Sequence, residues 1–244
     1  MGPRDTWDGM GAWLRKLGTT LPAKPKAMLV ISAHWEEPDV TVNTASNPPL
    51  LYDYYGFPSE TYRIEYAAPG HPNLAKQVQE LLKTSGIGSR SDSERGFDHG
   101  VFVPLKLVYP DADIPIVQVS LKNGLNPTTH LAIGKALAPL RSEGVLIVGS
   151  GMSYHNLRRF NDSGASDSIA FDDWLNEAVC TVDPLERNKR LITWDSAPAA
   201  RSAHPREEHL IPLMVAAGAA ETDAGKRIYS ERVMGMAISG FQFG

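Results

Sequence analysis

Apolar positions along the chain recur in two rhythms, one of strands and one of helices. Residues 26–33 (Lys-Ala-Met-Leu-Val-Ile-Ser-Ala) form a short apolar run that closes on small residues just before His34. That pattern reads as a buried strand. Val145 to Val148 repeats it and ends in Gly149-Ser150-Gly151. Val40 to Thr44 alternates and reads as a second strand. Ile114 to Leu121 is a further strand, with Pro115 at its start where a missing N–H is tolerated. Val233 to Ser239 is the last. Between these runs the spacing turns helical. Leu74, Val78, Leu81 and Leu82 fall at i, i+4, i+7 and i+8 and predict a helix over 71–85, with Gly86 as its C-cap. Residues 100–109 read as helix, as do 127–142, where Pro127 suits the first turn. Helices are also expected over 167–180 and 184–193, split by Pro184. One more runs from Pro205 to about Ala217, interrupted by Pro212. Residues 45–70 are rich in Pro, Tyr, Asn and Gly and read as a long ordered loop. The aromatics Tyr52, Tyr54, Tyr55, Phe57 and Tyr62 argue for order, because disordered segments are poor in them.

Strands alternating with helices define an α/β chain whose central, mostly parallel or mixed sheet is flanked by helices. No repeat and no linker divides it, so 1–244 reads as one domain. Composition narrows the chemistry. The 244 residues carry a formal net charge of -4, which argues against a nucleic-acid partner. Cys180 is the single cysteine, so a disulfide framework and any Cys-x-x-Cys site are excluded. No stretch reaches the roughly 18–20 apolar residues that span a bilayer, so no membrane partner is expected. Charges punctuate Met1 to Leu21 and leave no secretory h-region, and a cytoplasmic location is expected. Oligomeric state is not readable. Seven histidines are left as the plentiful group active near neutral pH.

Several catalytic signatures are missing. No Gly-x-Ser-x-Gly elbow surrounds Ser150 or Ser153, and Tyr154 stands where a dinucleotide loop needs its third glycine. No Walker A or His-Glu-x-x-His motif occurs. The histidines themselves are better placed. His34 and His155 both follow buried strands, and ligands of open α/β sheets bind beyond the carboxyl ends of strands. His99 lies in Gly96-Phe97-Asp98-His99-Gly100 just before a helix, and His209 lies in the helical stretch after Glu207-Glu208. Neutral imidazole is a common ligand for zinc and iron. Taken singly, each also reads as an ordinary turn, cap or surface residue. His71, His130 and His204 are given structural readings, the last at a helix start, and Trp35 is expected to pack.

With these segments in view, the sequence resembles the class III extradiol ring-cleavage dioxygenases of the LigB-like superfamily, in the branch typified by the DOPA extradiol dioxygenases. The resemblance rests on Val30-Ile31-Ser32-Ala33-His34-Trp35-Glu36, on Gly96 to Gly100, on Gly149 to Leu157, and on Glu208-His209-Leu210-Ile211-Pro212-Leu213. Tyr109 to Pro115 and the tail from Gly235 add to it. It implies a non-haem metal enzyme that uses Fe(II), or carries Zn(II) at the same site, and takes a catechol and O2. By motif it makes His34 and His209 metal ligands. His155 becomes an acid–base residue that also reaches the metal when no substrate is bound. His99, with Tyr154, falls on the substrate side. Tyr52, Tyr54, Tyr55 and Phe57 are candidates for shaping the pocket. In such a site the metal acidifies a catechol hydroxyl and an imidazole takes the second proton.

One departure stands out. The family begins with a strand ending in a His-Gly-x-Pro loop whose histidine is a further ligand. Here the sequence reads Met1-Gly2-Pro3 where that motif is due, so the domain is expected to lack its first strand and first ligand, either because the sequence is truncated at its N-terminus, the favoured expectation, or because the ligand has been lost. Two alternatives follow: a catalytically inactive homologue that binds a metal or an aromatic molecule, and, from another class, a zinc hydrolase.

Overall fold

The computed structural model describes residues 5–244. The Met1-Gly2-Pro3 start, on which the expected loss of a first strand rests, lies outside them. The strands are β1 Ala27–Glu37, β2 Val40–Asn43, β3 Ser89–Asp92, β4 Ile116–Lys122, β5 Val145–Ser150, β6 Gly225–Val233 and β7 Met236–Phe243. The helices are α1 Asp8–Thr20, α2 Pro72–Thr84, α3 His99–Val108, α4 Pro127–Leu137, α5 Pro139–Ser142, α6 Ala165–Val179, α7 Pro184–Ile192, α8 Ala200–Ala203 and α9 Ile211–Ala219. The chain divides into two compact units. Among the described residues, one comprises 14–124 and 139–150; the other comprises 5–13, 125–138 and 151–244.

The first unit holds the α/β sheet, in the order β3-β2-β4-β1-β5. β1 pairs in parallel with β4 and with β5, β2 in parallel with β3, and β2 antiparallel to β4, so the sheet is mixed. β1 is buried on both faces from Ala27 to Ala33, which explains its unbroken apolar run. Met28 and Val30 share one face and join Val101, Phe102 and Leu105 of α3 in a single apolar cluster. α2 buries Leu74, Ala75, Val78 and Leu82, the stripe its spacing predicts. His71 caps that helix, its Nδ1 accepting from the Leu74 N–H at 3.1 Å. Gly86, at φ 75°, takes the left-handed turn after it.

The second unit is built from helices and the β6–β7 hairpin. α4 and α9 cross at reciprocal glycines. A Cβ on Gly134 would lie 2.0 Å from the Val215 carbonyl oxygen, and one on Gly218 would lie 2.1 Å from that of Leu131. Only hydrogen fits at either position. The buried Arg187 guanidinium donates to the carbonyls of Ala217, Glu221 and Asp223 and so closes the C-terminal end of α9. His130 lies buried in α4 with Nδ1 2.8 Å from the Asn126 carbonyl, a structural histidine as expected.

Five expectations need correction. β1 runs on through His34 to Glu37 instead of stopping before it. The helix expected over 127–142 breaks at Ala138, because Pro139 cannot continue it. The stretch 205–210 is not helical: Pro212 sits in the first turn of α9 rather than interrupting a longer helix, so His209 lies in a turn ahead of it. His204 ends α8 instead of starting a helix. The final strand is also two. Val233 closes β6 and Met236 opens β7, across a Met234-Gly235 turn with φ 49° and 84°.

Candidate functional site

In the sheet unit, His34 is aimed by an irregularity in β1. Ile31 pairs with Val119 and Glu36 with Leu121, so residues 32–35 face a single residue of β4. A bulge of this kind bends the strand and re-aims its side chains. The backbone there is tied to a buried carboxylate. Asp98, the N-cap of α3, accepts from the Ser32 hydroxyl at 2.6 Å, the Gly100 N–H at 3.0 Å, the Gln118 amide and the Arg95 guanidinium at 3.4 Å. The same guanidinium donates to the His34 carbonyl at 3.1 Å, and the His34 N–H donates to Ser32 Oγ at 3.2 Å. One buried acid therefore fixes the backbone of His34 and the helix start that carries His99. Gly100 lets the two approach, since a Cβ there would lie 3.0 Å from His34 Cδ2.

The result is a ring pair. The His34 and His99 centroids are 3.9 Å apart and tilted by 38°. Asp53, from the tyrosine-rich loop, completes the group: its Oδ1 lies 2.7 Å from His99 Nδ1 and accepts from the His99 backbone N–H at 3.0 Å. Burial pulls the Asp53 carboxyl upward, but its hydrogen bonds to His99 outweigh this and hold it below the usual carboxylate range. Around His99 stands an aromatic wall. Tyr54 meets its ring edge-on at 5.5 Å, Phe57 packs on Tyr54, and Tyr52 packs on Phe102. Tyr55 is 91% exposed and takes no part in the wall. Trp35 is buried and packs, as expected.

The second unit assembles a parallel group on loops. His155 and His209 stack with centroids 3.4 Å apart and planes 17° apart. Glu208 Oε1 is 3.4 Å from His155 Nδ1, and its Oε2 is 3.5 Å from Arg206. Burial raises the Glu208 carboxyl, but the hydrogen bond with His155 and nearby positive charge bring it below its ordinary value. The loop is clasped by residues 202–204. The His155 N–H donates to the Ala203 carbonyl at 3.0 Å, the Asn156 amide to the Ser202 carbonyl at 2.8 Å, and His204 Nε2 lies 3.0 Å from the Ser153 carbonyl. Gly151 is indispensable to this approach, because a Cβ there would lie 2.2 Å from the His209 carbonyl oxygen. Tyr154 is buried, its ring packed near Phe160 and its hydroxyl donating to the Arg159 carbonyl at 3.2 Å.

Each group offers two imidazoles and one carboxylate, with donor atoms within 4.8 Å of one another. Two histidines and a carboxylate are the donor set that holds non-haem iron with positions left open. The residues present therefore suit a divalent metal. Asp53, Asp98 and Glu208 were not singled out from the sequence. A carboxylate whose partner lies 46 residues away, as in the Asp53–His99 pair, leaves no local signal.

The fold and these groups define a LigB-type ring-opening enzyme. A family model described as the catalytic LigB subunit of aromatic ring-opening dioxygenase matches residues 4–242, and the chain belongs to that family, a class III extradiol dioxygenase. Among curated relatives, 4,5-DOPA dioxygenase extradiol of Beta vulgaris is 45% identical over 213 residues, 86% of this chain and 77% of its own length. The protein of that name from Escherichia coli K12 is 37% identical over 210 residues, 84% of this chain and 76% of its own. A crystal structure of an uncharacterized E. coli K12 protein superposes with a TM-score of 0.81 at 32% identity. It covers 96% of this chain and 92% of the other. Among the described residues, no helix is long and apolar enough to cross a membrane.

Proposed function

We propose that this dioxygenase is metal-dependent and opens the ring of a DOPA-like catechol beside its vicinal hydroxyls, incorporating O2. The observation that carries the reading is the pairing of imidazoles in each unit, His34 with His99 and His155 with His209, on a chain whose relatives bear the name DOPA dioxygenase. On the strength of their motifs, His34 is assigned as a metal-ligating imidazole in the sheet unit and His209 in the second unit, where His155 serves as ligand in the resting state and as acid–base group with substrate bound. Fe(II) is the active metal and Zn(II) competes for the same ligands. When bound, the metal supplies Lewis acidity that acidifies a catechol hydroxyl, together with a redox partner for O2.

The remaining work falls to the protein's own groups. His155, with Glu208 beside its Nδ1, takes a proton from the diol at its other nitrogen. His99 hydrogen-bonds the substrate, and the Tyr54–Phe57 wall beside it offers an aromatic face to the catechol ring. The test is oxygen uptake. The chain reconstituted anaerobically with Fe(II) is expected to consume one O2 per L-DOPA, with a yellow ring-opened product, and His34→Ala and His209→Ala are expected to abolish both activity and metal retention. No uptake across a panel of catechols, with metal bound, overturns the reading.

A further inference from the structure

The loop that carries Asp53 is held more tightly than a surface loop needs to be. The Leu51 N–H donates to the Phe97 carbonyl and the Phe97 N–H to the Pro49 carbonyl, both at 2.8 Å, so residues 49–51 run as a short parallel bridge beside Phe97. Gly96 permits this, since a Cβ there would lie 2.7 Å from the Pro49 oxygen. Beyond Asp53 the loop is closed on itself by two hydroxyls: Tyr52 donates to the Ile64 carbonyl and Tyr54 to the Thr61 carbonyl, each at 2.6 Å. The consequence is that one carboxylate oxygen meets both the backbone N–H and the ring of His99. The Asp53 side chain is only 18% exposed, so water competes weakly for it.

We propose that Asp53 is the positioning residue that holds His99 in a single tautomer, with the proton on Nδ1 and Nε2 left to accept a hydrogen bond. An ionised carboxylate has acceptors only, so the nitrogen 2.7 Å away must carry hydrogen. In a neutral imidazole the other nitrogen then holds the lone pair. Turning the ring over would put Cδ2 in place of Nδ1 and lose the bond to Asp53, and the His34 and Tyr54 rings stand beside it, with centroids 3.9 and 5.5 Å away. This rests on the proposed catechol chemistry for its purpose: an acceptor at Nε2 suits a diol hydroxyl, whereas the opposite tautomer presents a second donor.

The experiment separates the two ideas. Long-range proton–nitrogen correlation spectra of histidine-labelled protein, with His99 assigned by His99→Gln, are expected to show the Nδ1–H form in the wild type. A mixture of tautomers is expected in Asp53→Ala. Asp53→Asn, whose amide oxygen still accepts, retains most of the Nδ1–H form and guards against misfolding in the alanine variant. With L-DOPA, kcat is expected to fall by roughly 10–100-fold in Asp53→Ala, the range for partners that orient a functional histidine, with KM little changed and bound iron per chain unaltered. An unchanged tautomer in Asp53→Ala overturns the proposal whether or not the wild type consumes oxygen. Loss of bound iron in Asp53→Asn also overturns it, by making Asp53 a ligand. A wild type with the Nδ1–H tautomer but no oxygen uptake sinks the catechol reading and leaves the positioning role standing.

Discussion

His34 and His99 sit on a strand bulge and a helix start; His155 and His209 sit on two loops. The first pair is tilted by 38° and the second lies nearly flat at 17°. Both have a carboxylate at hand and a glycine at a close approach, of backbone to the His34 ring at Gly100 and of backbone to the His209 backbone at Gly151. The difference lies in what holds them. The strand pair depends on a sheet ladder and on Asp98, a buried acid with four donors pointed at it. The loop pair depends on three clasps to residues 202–204, one of them the ring of His204. The loop pair alone is held in part by a buried imidazole whose pKa burial pushes down, so its hold weakens in acid.

His204 therefore gives the largest expected effect. Its ring is fully buried against Phe171 and Trp194, with Nδ1 lacking a hydrogen-bond partner among the described residues. Burial pushes its pKa down to about 4 from an ordinary value near 6.5. The unfolded chain then binds the proton more readily than the folded one between those values, so stability is full above about pH 6.5, falls as pH drops toward 4, and levels off below. The shift corresponds to about 3 kcal/mol. Urea unfolding at pH 7 and pH 4 is expected to show that loss in the wild type beyond the loss in His204→Gln, which keeps a donor for the Ser153 carbonyl. Parallel pH dependence in the two proteins would remove the asymmetry between the groups.

Next come the glycines. Alanine at Gly151 meets a backbone oxygen, which cannot move without moving His209 itself; alanine at Gly100 meets first the Ser32 hydroxyl, a side chain that can rotate at the cost of its bond to Asp98. A displacement of about 1 Å in a catalytic group costs on the order of 100-fold in rate. Gly151→Ala is expected to lose about that much in kcat/KM for L-DOPA, and Gly100→Ala distinctly less, roughly tenfold, the worth of one buried hydrogen bond. Equal losses would mean that the two approaches are equally unforgiving.

How much of this could be read from the chain follows from where each signal resides. Helix α2 was legible because its four leucine and valine positions, its histidine cap and Gly86 all lie within sixteen residues and agree. β1 was legible because a strand buried on both faces leaves an unbroken apolar run. β3 was not, because Ser89-Arg90-Ser91-Asp92 is a polar edge strand without alternation. β6 was missed because Met234 is an unusual residue for a tight turn with positive φ, and half of the strand faces solvent. The four candidate histidines drew attention through their motifs, two of them, His34 and His155, also through their place after strands. The acids that orient them were not: Asp98 reaches Gln118, and Asp53 reaches His99, only through the folded chain. Arg187 likewise binds carbonyls 30 to 36 residues away, and nothing in its neighbourhood announces a buried cation.

The smallest expected effect separates the two carboxylates. Asp53 meets His99 at 2.7 Å and is engaged twice by the same residue, whereas Glu208 stands 3.4 Å from His155 and faces Arg206 on its other side. A long, shared contact orients a ring weakly, since hydrogen bonds lose strength with length and an adjacent cation competes for the same charge. Glu208→Gln keeps the volume and removes the charge. It is expected to lower kcat for L-DOPA by less than about tenfold, under 1.4 kcal/mol, with metal content unchanged. A loss as large as that in Asp53→Ala would show that His155 depends on its acid as His99 does, and the contrast between the two groups would then lie in their backbone supports alone.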